Sequence, residues 1–142
     1  MGDHVTVWAD EMRLKQVLRN LIANALHYSP QRTPICIAAA LEQDNRMVRI
    51  SVIDRGQGIP PDKQQVIFDK FVRLERDMQS IMRGSGLGLY ISRQLVEAMQ
   101  GAITVTSSGV NGQGSSFSFT LPTSDEAKTV ARSPIASTEQ EL

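Results

Sequence analysis

"RGSGLGLYISRQLVEAMQG", residues 83–101, is the stretch on which the fold turns. Gly84, Gly86 and Gly88 alternate, and an apolar-periodic run follows: Leu87, Leu89, Ile91, Leu95, Val96, Met99. Glycine inside a helix costs roughly 0.5–1 kcal/mol against alanine, so a cluster at a helix start needs a reason. Either a flexible loop precedes an ordinary core helix, or something must approach this backbone closely. A helix N-terminus presents unpaired N–H groups and the positive end of its dipole, which makes a phosphate the natural visitor in the second case. Gly101 fits the C-cap of the same helix.

Outward from this stretch the elements alternate in type. After it, "AITVTSS" and "SSFSFTL" alternate in polarity around a glycine-rich turn at 109–114, as an antiparallel hairpin does. Before it lies a charged, poorly periodic segment, 72–85. Further upstream, Pro60-Pro61-Asp62 opens a short helix to about residue 70, carrying Val66, Ile67 and Phe68. Strands are expected at about 34–41 and 46–53, joined by a polar turn. A long helix is expected over 11–28, with Asp10 as N-cap and Ser29-Pro30 as its stop, after a short strand at 5–8. Helices with hairpin-connected strands imply an α/β protein, a two-layer α/β sandwich.

Composition narrows the classes of function. The chain has 142 residues, with fifteen Lys and Arg against fifteen Asp and Glu. One domain of this size buries a real core. The balanced charge favours neither nucleic acid nor an anionic membrane as partner. No apolar run approaches the roughly 20 residues that span a bilayer, and no signal-peptide pattern opens the chain. Cys36, the single cysteine, is expected as a buried core thiol in a reducing, cytoplasmic compartment. Residues 1–122 read as the folded domain, and 123–142, polar and without a periodic apolar face, as a disordered tail or linker.

Two further stretches carry candidate chemistry. On the first helix Leu14, Val17, Leu18, Leu21, Ile22 and Ala25 form an apolar stripe, while Asn20, Asn24 and His27 fall on an adjacent line. Those asparagines are either exposed decoration or a row of neutral polar groups facing a ligand, where an amide oxygen can complete the shell of Mg²⁺. In "SVIDRGQGIPPD", residues 51–62, a strand delivers Asp54 to its end just before Gly56 and Gly58. The carboxylate either caps the turn through an Asx bond or serves as a buried acceptor for an exocyclic amine such as that of adenine.

These motifs, in this order, resemble the ATP-binding catalytic domain of sensor histidine kinases, in the GHKL superfamily with DNA gyrase, MutL and the heat-shock chaperones. "NLIANALHYSP" is similar to the N box, "DRGQGIP" to the G1 box, "IFDKFVR" to the F box, "GSGLGLYI" to the G2 box and "GQGSSFSFTLP" to the last glycine box. The likeness runs from about Val5 to Pro122. It implies the Bergerat ATP-binding fold, with a mixed sheet and about three helices on one face, and it implies ATP and Mg²⁺ as cofactors.

It also implies roles. Asn24 would coordinate Mg²⁺, with Asn20 close by on the phosphate side and His27 and Tyr28 in the same pocket. Asp54 would accept from the adenine amine, Gly56 would stand beside it, and Gly58 and Ile59 would line the adenine slot. Phe68 and Phe71 would pack at the root of a lid formed by 72–85, from which Arg73 reaches the phosphates. Gly84, Ser85, Gly86, Leu87, Gly88 and Leu89 would border the triphosphate, with backbone N–H groups directed at it. Ser115 would supply a hydroxyl near the adenine through water.

Two positions refine the expectation. Relatives that hydrolyse ATP, and related serine kinases, carry a glutamate general base four residues before the metal-binding asparagine. Here that place holds Asn20, which takes no proton at neutral pH. A neutral imidazole needs no such base, so transfer to histidine is favoured over hydrolysis. His27 stands where these kinases usually have lysine, which makes one phosphate contact less firmly cationic. The family's phosphorylated histidine lies on a separate dimerisation hairpin, and neither His4 nor His27 fits that role. The partners implied are ATP, that dimerisation domain and, indirectly, a response regulator. A degenerate nucleotide-binding regulatory module and an anti-sigma-type serine kinase are the competing readings.

Overall fold

The computed structural model describes residues 7, 9–42, 46–69 and 88–123. Helix α1 (Glu11–Tyr28) starts where the Asp10 side chain accepts the N–H groups of Met12, at 2.9 Å, and Arg13, at 3.3 Å. These donors have no partner within the helix, and an N-cap of this kind is worth about 1 kcal/mol. The helix stops at Ser29, whose N–H reaches back to the carbonyl of Ala25. Pro30 follows. Val17, Leu21 and Ala25 are buried, flanked by the half-buried Leu14, Leu18 and Ile22, so the expected stripe is the core face.

The strands are β1 (Cys36–Glu42), β2 (Met47–Ile53), β3 (Ile103–Thr106) and β4 (Ser116–Pro122), in the spatial order β1-β2-β4-β3. Every pairing among them is antiparallel, which corrects the expected mixed sheet. β1–β2 and β3–β4 are each joined by a short connection, and the two hairpins meet antiparallel along β2 and β4. The register sets Val48, Ile50 and Val52 beside Leu121, Phe119 and Phe117 on one face, with Ile103 and Val105 continuing it. Helix α2 (Gly88–Ala98) packs on α1, and the two helices cover this face over β2, β4 and β3. Phe117, Phe119 and Leu121 are fully buried there, each contributing about 1.5–3 kcal/mol.

Four further expectations need correction. In place of a helix to about residue 70 there is a 3₁₀ turn, Pro61–Lys63, and the described residues hold two α-helices. Bonds from Lys63 to Pro60, Gln64 to Pro61 and Val66 to Lys63 tighten the chain into successive turns. Ile67 and Phe68 still reach the core, while Val66 is exposed. Cys36 is exposed, because β1 is an edge strand beyond the reach of the helices, and its Ile37 and Leu41 are exposed with it. Thr123, expected to begin the tail, is buried, pairs with Val7 in a single bridge and donates its N–H to the carbonyl of Arg46.

The fourth correction concerns the end of α2. The left-handed residue is Gln100, at φ 69°, and not Gly101. Gln100 donates to the Glu97 carbonyl at 3.1 Å and Gly101 to the Val96 carbonyl at 3.0 Å, a Schellman pattern with Gly101 one place beyond the usual glycine. Gly101 is required for another reason: a Cβ there would lie 1.8 Å from the Thr120 carbonyl oxygen. Gln100→Gly is therefore expected to stabilise the domain by about 0.5–1 kcal/mol by relieving the left-handed backbone. A denaturant titration reads this directly, and a midpoint that stays or falls contradicts it.

The rest of the expected strand at 5–8, the segment 72–85 and the tail from 124 onward lie outside the described residues. Among the described residues no helix is long and apolar enough to cross a membrane.

Candidate functional site

Asp54 follows the last residue of β2 and is 2% exposed. A carboxylate so placed must be hydrogen-bonded. Its Oδ1 accepts the Gly56 N–H at 2.8 Å, and its Oδ2 accepts the Ser115 hydroxyl at 2.9 Å. The backbone repeats the link, since the Asp54 N–H donates to the Ser115 carbonyl at 2.9 Å. The Asx turn is thus real, and Ser115 meets the carboxylate directly. A carboxylate offers about four lone-pair directions, so each oxygen retains capacity for another donor.

Glycines hold this carboxylate in place. A Cβ on Gly56 would stand 2.3 Å from the Tyr28 carbonyl oxygen, and one on Gly114 would stand 1.8 Å from the Asp54 carbonyl oxygen. Only glycine permits these approaches, and Gly114 also has φ +69°. Gly112 and Gly114 both donate to the Gly56 carbonyl, at 2.9 and 3.1 Å. The turn at 109–114 is thereby locked onto the loop that carries Asp54.

The other end of the site is the start of α2. The Asn20 amide nitrogen donates to the Gly88 carbonyl at 3.3 Å and to the Ser92 hydroxyl at 3.1 Å, and Ser92 itself bonds back to Gly88 at 2.9 Å. An ideal Cβ on Gly88 would meet nothing within 4 Å. Helix α1 therefore touches α2 at Asn20 and the Asp54 loop at Tyr28. Eight residues of helix separate these contacts by about 12 Å. Asn24 stands midway, one turn from each, and its amide nitrogen is buried without a hydrogen-bond partner among the described residues. The Ser29 hydroxyl, just past the helix, is in the same condition. The His27 and Tyr28 rings meet edge to face at 4.9 Å.

The structure thus gathers Asn20, Asn24, Tyr28, Asp54, Gly56, Gly88 and Ser115 along one side of α1. Ile59 is buried, and the Gly58 backbone, at φ +77°, closely approaches Ser107 and Gly109. Phe68 lies in the core, edge to face with Phe117 at 6.0 Å, and Leu89 packs on that core. Phe71, Arg73, Gly84, Ser85, Gly86 and Leu87 lie outside the described residues.

Three participants escaped the sequence reading. Ser92 is fully buried behind Asn20; it interrupts the apolar face that Leu89, Leu95, Val96 and Met99 make around it at i−3, i+3, i+4 and i+7, and that break was the signal available. Ser107 and Gln64 bind the backbone of Ile59; a serine before a glycine turn looks like ordinary turn chemistry.

Comparison with known proteins shows the family. The family model described as histidine kinase-, DNA gyrase B- and HSP90-like ATPase matches residues 9–125. The adaptive-response sensory kinase SasA of Synechococcus elongatus is 47% identical over 121 residues, 85% of this chain and 30% of that protein. The sensor histidine kinase WalK of Bacillus subtilis is 36% identical over 117 residues, 82% of this chain and 19% of that protein. The chain thus spans less than a third of the length of these curated relatives. Among solved structures, the mycobacterial sensor histidine kinase MprB superposes with a TM-score of 0.74 at 28% identity, covering 82% of this chain and 76% of that one. Full-length ShkA in complex with AMPPNP superposes with a TM-score of 0.70 at 38% identity, covering 84% and 23%.

Proposed function

This chain belongs to the histidine kinase-, DNA gyrase B- and HSP90-like ATPase family, and from that membership we propose that it is the catalytic part of a sensor histidine kinase, binding Mg-ATP along α1. One observation carries the proposal. A buried carboxylate with spare accepting capacity and a glycine-opened helix start lie at the two ends of one helix face, with an unpartnered amide between them. The ShkA relative bound to AMPPNP supports the same nucleotide class.

The residues fit both groups. Asp54 accepts from the adenine amine on whichever oxygen it reaches, while Gly56 and Ser115 hold the carboxylate still. The start of α2 receives phosphate oxygens at Gly88, where no Cβ intervenes. Among the described residues no group of three His, Cys, Asp or Glu could hold a metal ion. The amide oxygen of Asn24, on the same face of α1, would be the protein's ligand for Mg²⁺, with nucleotide oxygens and water supplying the rest of the shell. The bound Mg-ATP supplies an electrophilic γ-phosphoryl group with its charge neutralised.

Asn20 favours a histidine acceptor. It is a neutral amide whose nitrogen is occupied by the first turn of α2, so it positions that turn and abstracts no proton. The acceptor that suits it is an imidazole, already nucleophilic when neutral, on a separate dimerisation domain. A response regulator follows in the relay, and a cytoplasmic location suits both steps.

A calorimetric titration of AMPPNP, with and without Mg²⁺, tests the proposal. Metal-dependent binding is expected, and no binding in either condition would overturn it. Asn24→Ala is expected to erase an affinity gain from Mg²⁺ of about tenfold without loss of fold. A gain that survives the substitution removes Asn24 from the metal. Supplied with an acceptor hairpin, the domain should yield an acid-labile phosphoprotein. An acid-stable product would favour a serine acceptor.

A further inference from the structure

The Ser107 hydroxyl is the meeting point of three segments. It accepts the Ile59 N–H at 2.9 Å and the Gly109 N–H at 3.1 Å, and it donates to the Gly114 carbonyl at 2.9 Å. Gln64 completes the enclosure, since its amide nitrogen donates to the Ile59 carbonyl and to the Ser107 carbonyl, both at 2.8 Å. Both polar backbone groups of Ile59 are therefore held by side chains rather than by a strand or helix. The bonds form a closed circuit: Gly114 abuts the Asp54 carbonyl and donates to Gly56, and Gly56 donates to the Asp54 carboxylate.

We propose that Ser107 and Gln64 are positioning residues that fix the Gly58–Ile59 backbone against Asp54 and so set both affinity for the nucleotide base and preference for adenine. The proposal rests on the nucleotide reading of the site and deepens it. Neither side chain is assigned a contact with the nucleotide. They act by holding a loop in its binding geometry before the ligand arrives, which spares the ligand the ordering cost.

The circuit also accounts for the glycine at position 58. A Cβ there would lie 2.9 Å from Ser107 Oγ and 3.2 Å from the Gly109 carbonyl carbon, so a side chain at 58 would press on the hydroxyl at which the three segments meet.

The test compares the wild-type chain with Ser107→Ala, Ser107→Thr and Gln64→Leu. AMPPNP and its guanine counterpart are titrated well below the melting temperature, which is recorded for each variant. Losing the Ser107 hydroxyl frees the Ile59 N–H. An affinity for the adenine nucleotide about tenfold weaker is expected, with a smaller gap between the two bases. Ser107→Thr keeps the hydroxyl and should restore both. Gln64→Leu, at a half-buried position in the turn region, should weaken the adenine nucleotide by several-fold and narrow the gap likewise. It decides the matter if Ser107→Ala does not fold. Unchanged affinity and base preference, with only a lower melting temperature, would show the circuit to be structural and overturn the proposal. A wild-type chain that binds neither nucleotide would overturn the underlying reading and this one with it.

Discussion

Asp54→Asn is expected to leave the domain folded and to weaken AMPPNP binding by about 100-fold or more. The substitution is isosteric. The asparagine oxygen can keep the Gly56 N–H, and the Ser115 hydroxyl can turn to accept from the new amide nitrogen, so the contacts now made to the carboxylate survive in altered form. The site loses a charged acceptor. A hydrogen bond to a charged group is worth about 1.5–3 kcal/mol, and setting a donor against the adenine amine adds the cost of an unmade bond. Together these pass the roughly 2.7 kcal/mol of a hundredfold change. Calorimetry of the variant beside a thermal melt separates binding from folding. An unchanged affinity would take Asp54 out of the pocket.

The largest expected effect on stability belongs to Gly114→Ala. A Cβ at this position would sit 1.8 Å from the Asp54 carbonyl oxygen, 2.5 Å from its carbon and 2.8 Å from the Arg55 Cα, on a backbone at φ +69°. Nothing in that list is the flexible end of a side chain, so the turn must move as a whole. Its bond to the Gly56 carbonyl moves with it. A loss of about 3 kcal/mol or more is expected, which lowers the melting temperature by on the order of 10 °C in a domain of this size. Gly112→Ala is the internal comparison. It has φ +92° but no atom within 4 Å of the added carbon, so only the backbone cost of about 1–2 kcal/mol applies. Equal losses in the two variants would mean that the close packing beneath Gly114 contributes nothing.

Much of the frame was legible before any coordinates, for reasons that differ by element. The limits of α1 came out where they were expected, because Asp10 and Ser29-Pro30 act through local bonds that sequence encodes directly. The inward faces of β2 and β4 were legible from strict alternation. What local pattern cannot say is which strand lies at an edge. Cys36, Ile37 and Leu41 look like core residues because their composition is that of a core strand, and only the order β1-β2-β4-β3 exposes them. The end of α2 misled for a related reason. Gly101 is demanded by the neighbouring Thr120 carbonyl and not by helix termination, so its presence pointed one residue too far along.

The site divides in the same way. Asp54, with its paired glycines, was readable because a strand end followed by glycine has few uses. The Asx turn and the acceptor reading, set against each other at first, proved compatible, since one oxygen serves the turn and neither is saturated. Ser107, Gln64 and Ser92 went unread. Each has a partner 43 to 72 residues away along the chain, and no periodicity registers a bond of that span.

The position of β4 has a consequence for how the molecule comes into being. β4 is the last strand of the sheet in sequence, yet it lies inside the sheet, bonded to β2 on one side and β3 on the other. During synthesis the β1–β2 hairpin therefore emerges with its inner edge bare, and it waits through α2 and β3 before that edge is filled. Ser115, which closes the Asp54 pocket, immediately precedes this same strand. The Ser115–Asp54 contact and the completion of the sheet thus arrive in one late event.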